Sequence, residues 1–241
     1  MIKLSDIKDN DDKVFNLGEV IKKKEVNTLK ATGKQRAYLT VKQPIYNRKK
    51  EIVGLLGIST DITEMHSLQH ELELQATMDE LTGLYNRRFF FNLAKKTFSE
   101  SKRHSHSLSL IMFDLDFFKK INDEHGHPVG DFILQFIGSH ILTLLRQEDI
   151  LARVGGEEFV ILLPDTDIAA AYIIAEKVRA DIDSKSMKGD WDGTIEPKIS
   201  LGVTSLAKED KEFHEIYTRA DKALYEAKYS GRNKVCMAKR V

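Results

Sequence analysis

The sequence predicts a mixed α/β (α+β) protein: a sheet flanked by helices, preceded by a small β-rich piece and a helical linker. Three observations carry this. From residue 79 onward, apolar runs of strand length alternate with helical patterns. Within that part, a glycine pair interrupts the apolar run "RVGGEEFVIL" (153–162), which reads as two strands folded back as a hairpin around Gly155-Gly156. Residues 1–63, by contrast, show strand candidates with no evident helices between them. The expected division is 1–63, a linker over 64–79, and a main domain over 80–241.

In the first piece, "QRAYLTVKQPIY" and "EIVGLLGISTDIT" read as strands joined by the polar turn "NRKK". Two long strands with little before them bury little core. They resemble the last strands of a PAS sensor domain, including the closing Asp61-Ile62-Thr63, over about the C-terminal half of such a domain. In "TEMHSLQHELELQATMDE", Met65, Leu68 and Leu72 recur at three- and four-residue spacing with charges between. That pattern predicts a helix with one apolar seam, either a short two-stranded coiled coil or a helix packed on its own domain.

The main domain then reads in order. "NRRFFFNLAKKTFSESKR" is a helix with Asn86 as N-cap, and "SLSLIMFDLD" is a buried strand. "FFKKINDEHG" and "VGDFILQFIGSHILTLLRQ" are helices, and the glycine hairpin follows. "DIAAAYIIAEKVRADIDS" is a helix, "IEPKISLGVTSL" a strand, and "DKEFHEIYTRADKALYEAKYSG" a helix ending at Gly231. "NKVCMA" is a last short strand, with Cys236 a small buried residue.

Composition excludes little but frames the rest. Among 241 residues, 37 Lys+Arg balance 37 Asp+Glu, so nothing demands a nucleic-acid polymer or an acidic membrane as partner. A single cysteine permits no intrachain disulfide. No apolar run reaches membrane-spanning length and the N-terminus lacks a signal-peptide core, so no membrane segment and a cytoplasmic location are expected.

The chemistry concentrates in two stretches. In "IMFDLDFF", Asp114 and Asp116 stand at i and i+2 near a strand end, so both leave one face of the sheet. Two carboxylates there repel unless a cation or donors compensate, and hard oxygen ligands suit Mg²⁺ or Mn²⁺. Asp116 is open to a second reading, as the cap of the helix starting at Phe117. If the glycine hairpin lies beside this strand, Glu157 adds a third carboxylate, and acidic residues around a metal beside a glycine turn suit phosphoryl transfer.

"GGEEF" resembles the signature of the GGDEF family of diguanylate cyclases, in its Glu-for-Asp form. Supporting motifs occur in order: "DELTGLYNRR" (79–88), "FDLDFFKKINDEHGHPVGD" (113–131), "RVGGEEF" (153–159) and "ADKALYEAKYSGRN" (220–233). The resemblance implies a polymerase-palm-like nucleotidyl cyclase sheet that condenses two GTP into cyclic di-GMP and two pyrophosphates. It implies Mg²⁺ or Mn²⁺ held by Asp114, Glu157 and the Leu115 carbonyl, with Glu158 a further acidic group beside them. It places triphosphate oxygens on the Phe117 and Phe118 N–H groups at a helix start, and on Lys119, Lys228 and Arg232. It places the guanine edge on Asn122 and Asp131, and the base and ribose against the backbone of Gly155 and Gly156. "RQED" stands where the family has an R-x-x-D inhibitory site, which would give Arg146 and Asp149 the product cyclic di-GMP. Two domains must face each other to join two nucleotides, which implies a homodimer through the catalytic domains and the linker helix. A non-catalytic GTP or cyclic di-GMP receptor of the same fold is the alternative.

Overall fold

The structure is a computed structural model describing residues 4–28, 35–191 and 193–238, with residues 4–10 described as backbone only. The chain divides into two compact units, Met1–Leu74 and Gln75–Val241.

The first unit holds a helix, α1 (Leu4–Leu17), and an antiparallel sheet in the order β1 (Ile21–Thr28), β2 (Gln35–Tyr46), β3 (Ile52–Asp61). Two strands were expected here and three are present, preceded by a helix. The missed strand, "IKKKEVNT", carries three consecutive lysines and no clean alternation. It forms as an edge, paired on one side only with β2, where lysines are tolerated because they can reach solvent. Helix α2 (Thr63–Thr77) follows β3 at once. Asp61 turns the chain there: its Oδ1 accepts from the Thr63 N–H at 2.9 Å.

The second unit is a mixed α+β layer structure, as expected. Its sheet has the order β4 (Tyr85–Asn86), β6 (Ile150–Gly155), β7 (Glu158–Pro164), β5 (Leu108–Leu115), β8 (Ile199–Ser205), β9 (Val235–Met237). The four central strands pair antiparallel, and β4 and β9 join the edges in parallel. Every residue of β5 is buried, because helices cover both faces of the sheet. Its side chains alternate between two cores. Ile111, Phe113 and Leu115 pack with Phe159 of β7 and with Ile133 and Ile137 of α5 (His127–Leu142) and Val178 of α6 (Ile168–Asp183). Leu110 and Met112 pack with Phe90 and Phe98 of α3 (Arg87–His104) and Leu224 of α7 (Phe213–Tyr229). Helix α4 (Phe118–His125) completes the unit.

Local chemistry sets the ends. Asn86 caps α3, its side chain accepting from the Phe89 N–H at 2.9 Å. Helix α7 sits tightly on β8 at Gly202, where a Cβ would lie 2.2 Å from the Ala220 carbonyl oxygen. The second helix of the "FDLDFF…" region is shorter than expected. It ends at Leu142 rather than running to residue 147, and the Thr143 hydroxyl bonds the His140 carbonyl at 2.7 Å as the chain turns away. Cys236 is half-buried rather than buried, being in an edge strand. No helix among the described residues is long and apolar enough to cross a membrane.

Candidate active site

The site forms where β5, β7 and β8 end together. Asp114, the penultimate residue of β5, pairs across the sheet with Glu158 on one side and Ser200 on the other. It is 3% exposed. Burial pushes its carboxyl up to about 6, Lys228 opposes that, and repulsion from Glu157 and Glu158 adds to it. Lys228, in the last turn of α7, brings Nζ to 2.7 Å from Asp114 Oδ2.

The signature turn differs from expectation by one residue. Gly155 is the last residue of β6, and the turn is Gly156-Glu157, with Gly156 at φ 41°. A register irregularity between Arg153 and Gly155 leaves Val154 as the extra residue and pairs the first glycine with Glu158. Glu157 therefore sits in the turn and Glu158 opens β7. The Leu115 N–H donates to the Glu157 carbonyl at 3.4 Å, which ties the turn to the end of β5.

Asp116 does not cap α4. The N-cap position falls on Phe117, at φ 59°, and no side chain caps it. Asp116 is instead buried and engaged on both oxygens: Ser200 Oγ donates to Oδ1 at 2.7 Å and the Asn233 N–H to Oδ2 at 2.9 Å. Phe117 is 59% exposed, and the Arg232 guanidinium stacks over its ring at 4.5 Å. Phe118 is buried and opens α4, whose first N–H groups lack helical acceptors, with Lys119 in the first turn.

Asn122, one turn further along α4, packs against Gly130 of α5. A Cβ on Gly130 would lie 1.9 Å from Asn122 Oδ1. That oxygen is buried and has no hydrogen-bond partner in the protein. Asp131, next to Gly130, is exposed. Arg146 and Asp149 lie in the turn leading into β6, at the opposite end of that strand from Gly155. Asp149 Oδ2 accepts the Arg146 N–H at 2.9 Å, and burial raises its carboxyl above the ordinary value.

Thus the strand and helix ends carrying Asp114, Leu115, Phe117, Phe118, Glu157, Glu158, Lys228 and Arg232 come together. Among the described residues, however, no three His, Cys, Asp or Glu side chains converge as a preformed metal cage. Sequence reasoning left Ser200, Gly130 and the Asp79–Arg153 pair without a role. Arg153 donates through Nε to the Gly156 carbonyl at 2.8 Å and through Nη1 to Asp79 Oδ1 at 3.0 Å. Both residues lay inside quoted motifs, which was the available signal.

The chain is similar to known proteins in sequence and fold. The family "Diguanylate cyclase, GGDEF domain" matches residues 76–234. A diguanylate cyclase of Vibrio cholerae is 37% identical over 235 residues, covering 97% of this chain and 72% of that protein. Diguanylate cyclase A of Treponema denticola is 40% identical over 68% of this chain, which spans only 44% of that relative's length. Among solved structures, the GGDEF domain of DgcB from Caulobacter crescentus in complex with c-di-GMP is similar at a TM-score of 0.65 and 30% identity, over 68% of this chain and 94% of that one. The active GGEEF domain of a Vibrio cholerae diguanylate cyclase is similar at 0.62 and 35% identity, over 65% of this chain and 98% of that one.

Proposed function

The chain belongs to the GGDEF family of diguanylate cyclases, and from that premise we propose that it condenses two GTP into cyclic di-GMP and two pyrophosphates. The observation that carries this reading is Asn122 Oδ1, a buried acceptor without a protein partner, on the helix that begins just after Asp114 and Asp116. An acceptor there suits a guanine N–H donor, and Asp131 would take the remaining guanine donors. The Phe117 and Phe118 N–H groups, Lys119, Lys228 and Arg232 would grip the triphosphate, and Gly155 and Gly156 leave room for base and ribose.

The donor set fits a divalent cation. Burial holds the Asp114 carboxyl up, repulsion from Glu157 and Glu158 adds to it, and all three are hard oxygen ligands. Asp114, the Leu115 carbonyl, Glu157 and Glu158 would hold Mg²⁺ or Mn²⁺. Such an ion, when bound, would acidify the attacking 3′-hydroxyl and neutralise charge at the α-phosphate. The chain's own residues orient each nucleotide. Two chains must then face each other so that one 3′-hydroxyl stands in line with the other's leaving pyrophosphate. A cytoplasmic site follows from GTP as substrate. In this reading residues 1–63 are a PAS-like input piece, 64–79 a signalling helix and 80–241 the catalytic domain.

Incubation with GTP and Mg²⁺ and detection of the cyclic product test the proposal. Binding of GTP without turnover would favour a non-catalytic receptor instead. We also assign Arg146 and Asp149 to product inhibition. Arg146→Ala should weaken cyclic di-GMP binding about ten- to a hundredfold, the loss of one charge-assisted contact. It should raise end-point yield while leaving product-free initial rates unchanged. Equal affinity by calorimetry and equally curved progress curves would reduce "RQED" to a turn.

A further inference from the structure

Asp114 and Asp116 leave the same end of β5, and both are buried, but they are neutralised in different ways. Asp116 is satisfied by neutral donors, the Ser200 hydroxyl and the Asn233 N–H, and Arg232 stands only at 4.0 Å. Asp114 faces Glu158 across the sheet, and its ion pair is with Lys228 at 2.7 Å. A buried carboxylate without a counter-ion is costly, so the ammonium holds a charge the fold itself leaves uncompensated. It also occupies one of the two oxygens that a cation on Asp114 would use, and Mg²⁺ or Mn²⁺ binds a carboxylate at short range, roughly 2.1 Å. Ammonium and divalent cation therefore compete for Oδ2, and their like charges oppose joint occupancy of one carboxylate.

We infer that Lys228 is a placeholder cation: it occupies the Asp114 side of the metal position in the nucleotide-free protein and moves to the substrate phosphates as cation and nucleotide arrive. The inference rests on reading Asp114 as a cation ligand. The local build permits the exchange. The α7 backbone is fixed against β8 at Gly202, while the Lys228 side chain is 32% exposed on a flexible stem. A triphosphate offers the released ammonium a stronger acceptor, so cation and nucleotide each favour the other's binding beyond their direct contact. The free protein would then hold divalent cation weakly until substrate is present.

The test measures Mn²⁺ binding to nucleotide-free protein by calorimetry, and GTP binding in EDTA, for wild type, Lys228→Met, Asp114→Asn and the double variant. Lys228→Met should bind Mn²⁺ at least about tenfold more tightly than wild type, although it loses a positive charge that would bind phosphate. Asp114→Asn should lose Mn²⁺ binding, yet bind GTP in EDTA more tightly than wild type, because its lysine has no carboxylate to hold it. Should Lys228→Met not fold, this isosteric Asn variant still decides. Mn²⁺ affinity in Lys228→Met equal to or below wild type, with Asp114→Asn losing the ion, would overturn the placeholder alone. So would unchanged GTP affinity of Asp114→Asn in EDTA. Tight Mn²⁺ binding that survives in the double variant would overturn the ligand assignment of Asp114, and the placeholder with it.

Discussion

At Gly130 the missing side chain is what leaves room for the Asn122 amide. The residue lies within helix α5 and its backbone is not in the left-handed region, so alanine would meet no strain. It would meet Asn122 Oδ1 at 1.9 Å and Phe118 Cζ at 3.1 Å, and displace the unpaired acceptor. Gly130→Ala should raise the KM for GTP at least about tenfold. Adding Asn122→Ala should recover stability, read by thermal unfolding, without recovering GTP affinity. A KM equal to wild type would show that Asn122 does not touch the base. Asp114→Asn and Glu157→Gln should each reduce cyclisation at least about a hundredfold with the far-UV spectrum unchanged. For Asp114 the stability effect has the opposite sign. Its folded carboxyl is raised from 3.8 to about 6, so the folded protein binds the proton more tightly than the unfolded chain. Its ionisation costs stability as pH rises through that window. At neutral pH the metal-free Asn variant should therefore melt no lower than wild type, while being inactive. A lower melting point in Asp114→Asn would mean that the Lys228 pair outweighs the burial cost.

At the scale of elements, the signature hairpin is positioned from outside itself. Arg153 connects the Gly156 carbonyl to Asp79, and Asp79 is in turn held by the Thr82 N–H at 2.9 Å and hydroxyl at 2.7 Å. The turn that carries Glu157 is thereby tied to the stretch that follows α2. Burial alone would raise the Asp79 carboxyl, but the Thr82 and Arg153 hydrogen bonds outweigh it and leave the group below its ordinary value. Its stabilisation is thus present at neutral pH and lost as pH falls through that lowered value. Asp79→Asn should cost roughly 1–3 kcal/mol in denaturant unfolding at neutral pH. The gap to wild type should narrow in acid, and kcat should fall because the turn is less fixed. A pH-independent gap would mean that the charge is not what matters. None of this pairing was legible in the sequence, because Asp79 and Arg153 are 74 positions apart and only the strand order brings them together. What was legible had a local cause. The buried β5 shows as an unbroken apolar run, and the i, i+2 carboxylates do end it together. The hairpin shows as paired apolar runs, yet its turn is displaced by one residue because the register is set by the partner strand. Strand β1 was hidden because an edge tolerates "IKKKEVNT". The burial of Asp116 was anticipated, but its capture by Ser200 and Asn233, 84 and 117 positions away, was not.

For the whole molecule, the proposed reaction makes the decisive quantity how often two catalytic domains meet. In the proposed reading one site takes one guanine and one triphosphate, whereas the product contains two nucleotides, so turnover would be second order in chain until a dimer forms. In that reading helix α2 would supply a means of association. Met65, Leu68 and Leu72 keep their three- and four-residue spacing and are 59%, 53% and 64% exposed, an apolar seam the single chain does not bury. Burying such a seam against a second copy would raise the effective concentration of the catalytic domains without altering either site. Specific activity should therefore fall on dilution, while KM for GTP measured on the dimer stays constant. Leu68→Glu with Leu72→Glu should move that fall to higher protein concentration, since like charges would then face each other along the seam. Light scattering on the same samples should show the mass dropping from dimer to monomer over the range in which activity is lost. Activity that stays proportional to protein while the mass is that of one chain would remove the two-domain requirement, and with it the role given to α2.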